Sequence, residues 1–467
     1  MVLTALTARL RRPAPAPSRG RLPLALALSG CIVASAAPAS ASVGTPPPTG
    51  YAPDEVVVRY AEDAAPAAIA AARRSAGPGA DERVAPRTSV LRIRDGETVS
   101  ETIAELERRG AVLSATPNWE ARISGFVPDD PGRDGTVGGW QSLQWNLAPG
   151  VGIDAPQAWE NLIRAGQGGG RGVTVAVLDT GVAYRDQGRF RRSPDLSRFR
   201  FARGYDFVER DSVPLDSNGH GTHVASTIAE SADNGIGVTG IAYGATIMPV
   251  RVLNKYGVGK SAGIAAGIRF AARRGADVIN LSFEFDRRIR LVDIPEIVDA
   301  LEYAHDKGAL TVAASGNTGL NAVAFPARAQ HVVSVGATTE HGCQAEYSNR
   351  GSDLDIVAPG GGPDADLPGE ADRCRPLESS GRDIYQMTFT GSVRRFGLPG
   401  GYNGTSMAAP HVSGTAALVI ASRVLGRDPS PQALEAHLKA TSTDLGAPGR
   451  DSRYGAGLVN AAAATKG

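Results

Sequence analysis

Five stretches of the chain are almost continuously apolar: "VTVAVLD" (173–179), "ATIMPVRVL" (245–253), "DVINLSF" (277–283), "LTVAAS" (310–315) and "VVSVGAT" (332–338). A strand with one wet face alternates apolar and polar residues. A strand covered on both faces does not, and runs of this kind belong inside a parallel sheet. Parallel neighbours cannot be joined by tight hairpins and need crossovers. Helical stretches stand between the runs at 220–231, 262–274 and 294–307. The expected fold is therefore α/β, a parallel sheet flanked by helices. In open sheets of this type ligands gather beyond the C-terminal strand ends, so the residues just after each run deserve the closest reading.

The segment 54–122 has another pattern. "DEVVVRY" (54–60) reads as a strand, "APAAIAAARRSA" (65–76) as a helix, "TSVLRIRD" (88–95) as an alternating strand, "TVSETIAELERRG" (98–110) as an amphipathic helix and "AVLSATPNW" (111–119) as a strand. Thr98 and Glu101 have capping-box spacing, and Gly110 is the expected helix stop. This β-α-β-α-β order predicts a small α/β domain. A Pro/Gly linker (42–53) precedes it, and the Pro/Asp/Gly-rich stretch 126–139 marks a boundary before the main domain, 123–467.

At the N-terminus, Arg9, Arg11, Arg12, Arg19 and Arg21 precede "LPLALALSGCIVASAA" (22–37) and the small residues "PASAS" (38–42). A basic region, a short apolar run and an A-x-A context form a signal peptide, 1–41, and predict export. The run is too short and too rich in Ala and Ser for a membrane span. "LSGC" (28–31) also resembles a bacterial lipobox, so two readings stand: free secretion, or a lipid anchor at Cys31 on the outer membrane face. With the signal removed, Cys343 and Cys374 are left, and in an oxidising compartment two cysteines pair. Closing that loop stabilises by about 3–4 kcal/mol in the chain-entropy model. The net charge of +1 leaves no electrostatic footprint for nucleic acid.

Four residues stand at strand ends or helix starts. Asp179 closes the first run. His220 opens "HGTHVAS" (220–226). Asn317 lies in "AASGNTG" (313–319), and Ser406 in "NGTSMAAPHVSG" (403–414). Gly404 and Thr405 allow a turn, a helix is expected to start near Ser406, and Pro410 is expected in its first turn, where a missing N–H costs nothing. A serine there lies beside free N–H groups and the positive end of the helix dipole, which suits a nucleophile whose attack develops an oxyanion. Read alone, the same serine serves equally as an N-cap. Asp179 alone suits a turn cap, and Asn317 alone an ordinary loop. His220 and His223 lack the Glu of H-E-x-x-H and do not make a zincin. His223 and His411 are expected to be structural. The "GTSMA" context also lacks the second Gly of the α/β-hydrolase elbow G-x-S-x-G.

Together the blocks "VLDTGV" (177–182), "HGTHVA" (220–225), "SGNTG" (315–319) and "GTSMAAPHVSG" (404–414) resemble those of the subtilases, the subtilisin-like serine peptidases, over about 140–465. The order Asp, His, Ser is also that of subtilisin. The resemblance implies a subtilisin-like fold and a secreted endopeptidase acting on proteins or peptides, with no cofactor for catalysis, expected to be monomeric. Ser406 would attack the peptide carbonyl, His220 would take its proton, and Asp179 would hold the imidazole's tautomer. Asn317 and the Ser406 N–H would bind the oxyanion. Segment 54–122 resembles the family's inhibitory propeptide. That implies a self-processing zymogen with its own intramolecular inhibitor, and offers Arg122 in "WEAR" (119–122) as the residue before the cleaved bond. The other class of reading is an inert peptide-binding relative; such proteins lose a triad member, and none is lost here.

Three features depart from the family. Where a Ser-x-Gly-Gly-like stretch commonly lines the substrate cleft, this chain has "LSFEF" (281–285). The resemblance makes Ser282, Phe283, Glu284 and Ala324 substrate-binding, with Ala324 at the base of the S1 pocket. Glu284 then either faces that pocket and favours basic residues or lies in solvent on a rearranged loop. The connection 360–401 is long and holds Cys374, and reads either as a flap or rim near the cleft or as a surface excursion. "ADNGIGVTG" (232–240) resembles the family's calcium loop, which would take ligands from Gln144, Asp195, Ala232, Asn234, Ile236 and Val238. An insertion, "YRDQGRFRR" (184–192), precedes Asp195, and the plainer reading of the loop is a bare turn.

Overall fold

The computed structural model describes residues 51–76, 82–94, 96–119, 126–196, 200–366, 374 and 381–467. The expected signal peptide with Cys31, most of the 42–53 linker and the expected cleavage point at Arg122 lie outside the described residues. The chain divides into two compact units, Met1–Arg122 and Ile123–Gly467.

In the first unit the elements are β1 (Tyr51–Tyr60), α1 (Pro66–Ala76), β2 (Glu82–Ala85), β3 (Thr88–Arg92), α2 (Val99–Glu107) and β4 (Val112–Trp119). The strands form an antiparallel sheet in the order β2-β3-β1-β4. Only one face is covered: Val56, Val58 and Tyr60 point inward at alternate positions and pack with Leu91, Ala72, Val99 and Leu106. The capping box forms as expected, with the Glu101 N–H donating to Thr98 Oγ1 at 3.3 Å and the Thr98 N–H to the Glu101 carboxylate at 2.9 Å. Two details differ from expectation. The four-residue β2 was too short to carry a pattern, and α2 stops at Glu107 with Arg108 as its C-cap, ahead of Gly110.

The second unit begins with α3 (Trp140–Leu143), α4 (Ala155–Arg164), β5 (Thr174–Asp179), β6 (Arg200–Phe201), β7 (Tyr205–Asp206), α5 (His220–Ala229) and β8 (Thr246–Arg251). It continues with α6 (Ser261–Arg273), β9 (Val278–Leu281), α7 (Pro295–Asp306), β10 (Leu310–Ala314), β11 (Val332–Thr338) and β12 (Ile356–Pro359). A small hairpin, β13 (Thr388–Phe389) and β14 (Phe396–Gly397), precedes α8 (Thr405–Ser422), α9 (Pro431–Ala440) and α10 (Ala461–Ala464). The sheet order is β12-β11-β10-β9-β5-β8, with β6 and β7 both beside β8. Every pairing in it is parallel.

The continuous apolar runs are explained by a core on each face. Val175 and Val177 of β5 enter a core with α4, α5 and α8, while Ala176 and Leu178 enter another with α6 and α7. Helix α8 is buried on all sides as it passes through the core, with its few polar side chains hydrogen-bonded inside. Strands β8, β9 and β10 stop short of the C-terminal ends of their runs, where the chain leaves the sheet, while β11 spans its whole run.

Helix α8 corrects one expectation. It starts at Thr405 with Gly404 as N-cap, so Pro410 falls in the second turn and not the first. There the ring removes the N–H that would bond the Ser406 carbonyl four residues back. The Ser282 hydroxyl takes that carbonyl instead, at 2.8 Å. Ser282 Oγ accepts from Asn280 Nδ2 at 2.9 Å, and Asn280 Oδ1 accepts from the Ser413 hydroxyl at 2.8 Å. A buried polar chain thus ties the start of α8 to β9.

Cys343 and Cys374 form a disulfide, with their Cα atoms 5.7 Å apart. Among the described residues no helix is long and apolar enough to cross a membrane.

Candidate active site

The strand register brings the singled-out residues together. Leu178 pairs with Leu281, so Asp179 and Ser282 leave neighbouring strands at the same level. Leu281 pairs with Ala313, which places the 315–317 turn beside them. Ser282 then reaches Ser406 through the bond described above.

Asp179 is fully buried, and its carboxylate oxygens lie 2.8 and 3.0 Å from His220 Nδ1. The Thr180 N–H also donates to Asp179 Oδ1 at 2.7 Å. Two oxygens on Nδ1 require the Nδ1–H tautomer and leave Nε2 as the open nitrogen. Among the described residues Nε2 has no other partner, and neither has the Ser406 hydroxyl. The two do not share a hydrogen bond in this structure; such contacts in unliganded enzymes are often long and tighten with substrate. Burial opposes a charged imidazole, but the charge and hydrogen bond of Asp179, with a smaller push from Asp216, outweigh it and hold His220 above its ordinary value.

The turn before His220 is organised by Asp216, which sequence reasoning passed over. It is fully buried and accepts from the Asn218, Gly219 and Thr222 N–H groups and from the Thr180 and Thr222 hydroxyls, at 2.6–3.0 Å. Its signal was its place in "LDSNGHG", an Asp ahead of a turn and a helix start. Burial still pushes its carboxyl up, against those bonds.

At Ser406 the N-cap reading fails, because Gly404 holds that position and Ser406 is already helical. Its own N–H belongs to the first turn and has no acceptor among the described residues. Asn317 Oδ1 accepts the Thr405 N–H at 2.8 Å and the Thr405 hydroxyl at 2.9 Å, which fixes the amide and turns Nδ2 outward with no acceptor. A Cβ on Gly404 would lie 3.7 Å from the Ser406 N and 3.8 Å from Asn317 Nδ2, so two unengaged donors converge on that glycine. Its φ of +147° calls for a residue without Cβ.

His223 and His411 are structural, as expected. His223 Nε2–H donates to the Ile384 carbonyl at 2.9 Å, its ring stacks on Tyr402, and burial drives its pKa down to about 3. His411 Nδ1–H donates to the Met407 carbonyl at 2.8 Å and Nε2 accepts from Asn146 at 2.8 Å; burial lowers its pKa to about 4.

The described part of the 360–401 connection packs beside the helix that His220 opens. It is anchored on α5: the Thr388 hydroxyl donates to the Gly219 carbonyl at 2.7 Å, Ser226 donates to the Met387 carbonyl at 3.2 Å, and the Met387 N–H donates to Glu230 at 3.1 Å.

Of the substrate-binding set, Ser282 is buried, Phe283 is half-buried with its ring edge-on to Phe285, and Ala324 is buried with its N–H on the Ser315 carbonyl at 2.8 Å. Glu284 is an exposed residue whose Oε1 accepts the Asn317 N–H at 3.1 Å. Partial burial of the carboxylate raises its pKa, against that bond. Glu284 is thus solvent-exposed on one side and tied to the Asn317 turn on the other.

Around the loop 232–240, buried Asp195 accepts from Asn234 Nδ2 at 2.8 Å and from the Val238 N–H at 3.3 Å. The Ala232, Ile236 and Val238 carbonyls have no donor among the described residues. Gln144 has both its amide atoms on Thr239, at 2.8 and 3.0 Å. Asp130, which sequence reasoning missed, takes the backbone N–H groups of Asp233 and Asn234 at 3.0 and 3.1 Å. Burial pushes Asp195 up to about 8, with the charge of Asp130 adding to it, and burial with Asp195 raises Glu230 in turn. No cluster of three or more His, Cys, Asp or Glu side chains arranged for a metal occurs among the described residues.

A parallel α/β sheet with an Asp–His pair and a helix-start serine beyond its strand ends defines a serine hydrolase. Residues 170–457 match the model of the subtilase family, and 37–118 match that of the fervidolysin N-terminal prodomain. The chain belongs to the subtilase family and is a subtilisin-like serine peptidase with a propeptide domain. It is 37% identical over 328 residues to subtilisin Savinase of Lederbergia lenta, covering 70% of this chain and 100% of that one. It is 32% identical over 372 residues to the thermophilic serine proteinase of Bacillus sp. (strain AK1), 79% of this chain and 78% of the relative. Among solved structures, a protease from Pseudoalteromonas arctica superposes with a TM-score of 0.58 at 31% identity, covering 73% of this chain and 99% of that one.

Proposed function

We propose that the chain is an exported, self-processing zymogen of a serine endopeptidase that cleaves protein substrates through Asp179, His220 and Ser406. The observation that carries this reading is the pair of donors without an acceptor among the described residues, Ser406 N–H and Asn317 Nδ2, at the turn that opens α8, in a fold that also holds the His220 imidazole on the Asp179 carboxylate. Ser406 Oγ attacks the peptide carbonyl as its proton passes to His220 Nε2. The oxygen that becomes negative moves between the two donors, where a preorganised site stabilises it more than water would. Asp179 keeps Nδ1 protonated and stabilises the imidazolium. His220 then protonates the leaving amine, and water repeats the sequence on the acyl-enzyme. A fluorophosphonate should label the wild-type enzyme at Ser406 and leave Ser406→Ala unlabelled; labelling of both at another residue contradicts the assignment.

The base must be neutral to act. With His220 held above its ordinary value of about 6.5, kcat/KM should rise with pH through that raised pKa and level off on the alkaline side. An acid limb centred well below 6.5 in a pH–rate profile would contradict the Asp179–His220 coupling.

The first unit is read as folding aid and inhibitor, released near Arg122. Export through the 1–41 signal is expected, with lipidation at Cys31 as the alternative that would hold the enzyme on the outer membrane face.

Structural calcium belongs to the same reading. The donor set fits a hard cation: oxygen ligands dominate, burial and the charge of Asp130 raise the Asp195 carboxyl, and three loop carbonyls lack donors among the described residues. Asp195, Asn234 and Gln144, with the carbonyls of Ala232, Ile236 and Val238, would hold it. Its part is stability, since it would offset the repulsion of adjacent buried carboxylates. EDTA should lower the melting temperature and added calcium restore it; an unchanged Tm contradicts the site.

A further inference from the structure

A cavity of about 300 Å³ lies between the segment after β9 and the segment after β10, lined among others by Glu284, Phe285, Leu320, Ala324 and Phe325. Its walls are tied together. The Phe285 N–H donates to the Phe325 carbonyl at 2.7 Å, and Asn349 Oδ1 accepts from the N–H groups of Thr318 and Leu320 and from the Thr318 hydroxyl. Asp286 in the same lining is committed to Arg288, at 2.9 Å.

Glu284 is the exception. Its Oε1 rests on the Asn317 N–H, while Oε2 has no donor among the described residues. A Cβ on Gly316 would collide with that Oε2, so the carboxylate stands directly over the turn that carries Asn317. No described cation is ion-paired with it. Of the two arginines in the lining, Arg328 lies over the Phe325 ring at 4.0 Å and points Nη2 to the Ile289 carbonyl at 3.4 Å, and Arg287 has no contact with Glu284. An exposed carboxylate with one free oxygen, on the Asn317 turn and beside a cavity of mixed apolar and polar lining, is complementary to a long side chain with a cationic end.

We propose that Glu284 makes this peptidase select arginine or lysine as the residue before the scissile bond. The stem of that residue packs against Phe285, Leu320 and Phe325, and its cation meets Glu284 Oε2. The proposal rests on Ser406 being the nucleophile. The chain itself carries an arginine, Arg122, as the last residue of its first unit.

The test is kcat/KM of the mature enzyme on a matched peptide series with Arg, Lys, Leu, Phe or Glu at that position, for wild type, Glu284→Gln and Glu284→Ala. Glu284→Gln keeps an acceptor for the Asn317 N–H and removes only the charge. It should lose about 10- to 100-fold on Arg and Lys, as expected for removing one partner of a desolvated charge pair, with Leu changing little. A wild-type preference for Leu, Phe or Glu overturns the proposal, as does an equal loss on every peptide in both variants, which would leave Glu284 only a support for Asn317. A wild type that cleaves none of the peptides and resists fluorophosphonate defeats the peptidase assignment itself.

Discussion

Replacing Ser406 by alanine should abolish peptide hydrolysis while leaving the fold intact. Ser406 Oγ has no hydrogen-bond partner among the described residues, so its loss orphans no buried group. What the fold uses at this position is the backbone: the carbonyl that accepts from Ser282 at 2.8 Å and the helix that starts one residue earlier. Alanine keeps both. The expected loss in kcat is on the order of 10⁶, a magnitude carried over from subtilisin, where removing the nucleophile costs as much as removing the whole triad. The denaturation midpoint should move by less than about 0.5 kcal/mol of stability. Turnover within about tenfold of wild type on a peptide substrate, measured on protein purified free of other peptidases, would contradict the assignment.

Asn317 separates chemistry from architecture more sharply. Its two amide atoms have different tasks: Oδ1 holds Thr405, at 2.8 and 2.9 Å, and Nδ2 is left for the oxyanion. Asn317→Ala removes both and confounds them. Asn317→Asp keeps the acceptor for Thr405 and places a negative oxygen where the reaction generates another. It should therefore fold normally and lose at least about 10²–10³ in kcat with little change in KM; that range is again the one known for subtilisin's own oxyanion asparagine. A loss confined to KM, or matched by an equal loss of stability, would assign Asn317 to the scaffold alone.

Much of this site was legible because parallel sheets place function at strand ends. Asp179 and Asn317 follow runs whose continuity already marked buried strands, and His220 and Ser406 open helices. The register of β5, β9 and β10 then brings them to one level. What stayed illegible depended on long-range partners. Pro410 looked like a first-turn proline, and only the Ser282–Ser406 bond explains how a second-turn proline is accommodated. Asp216 and Asp130 stood in turn-rich stretches where an aspartate is unremarkable, and their roles come from the backbone N–H groups that fold onto them. The pairing of the Gln144 amide with Thr239, 95 residues away, likewise had no local pattern to announce it. The connection 360–401 had no periodicity to read, and its hold on α5 joins backbone groups of Gly219 and Met387 to side chains more than 150 residues away in sequence.

The central claim is that this chain is an active peptidase that releases its own N-terminal unit. The most direct measurement is the intact mass of wild type and Ser406→Ala, both expressed with export and purified alike. The account predicts that the wild type loses the first unit with a cut near Arg122 and that the mutant retains it. Retention by both, or the same cut in both, would contradict self-processing by Ser406.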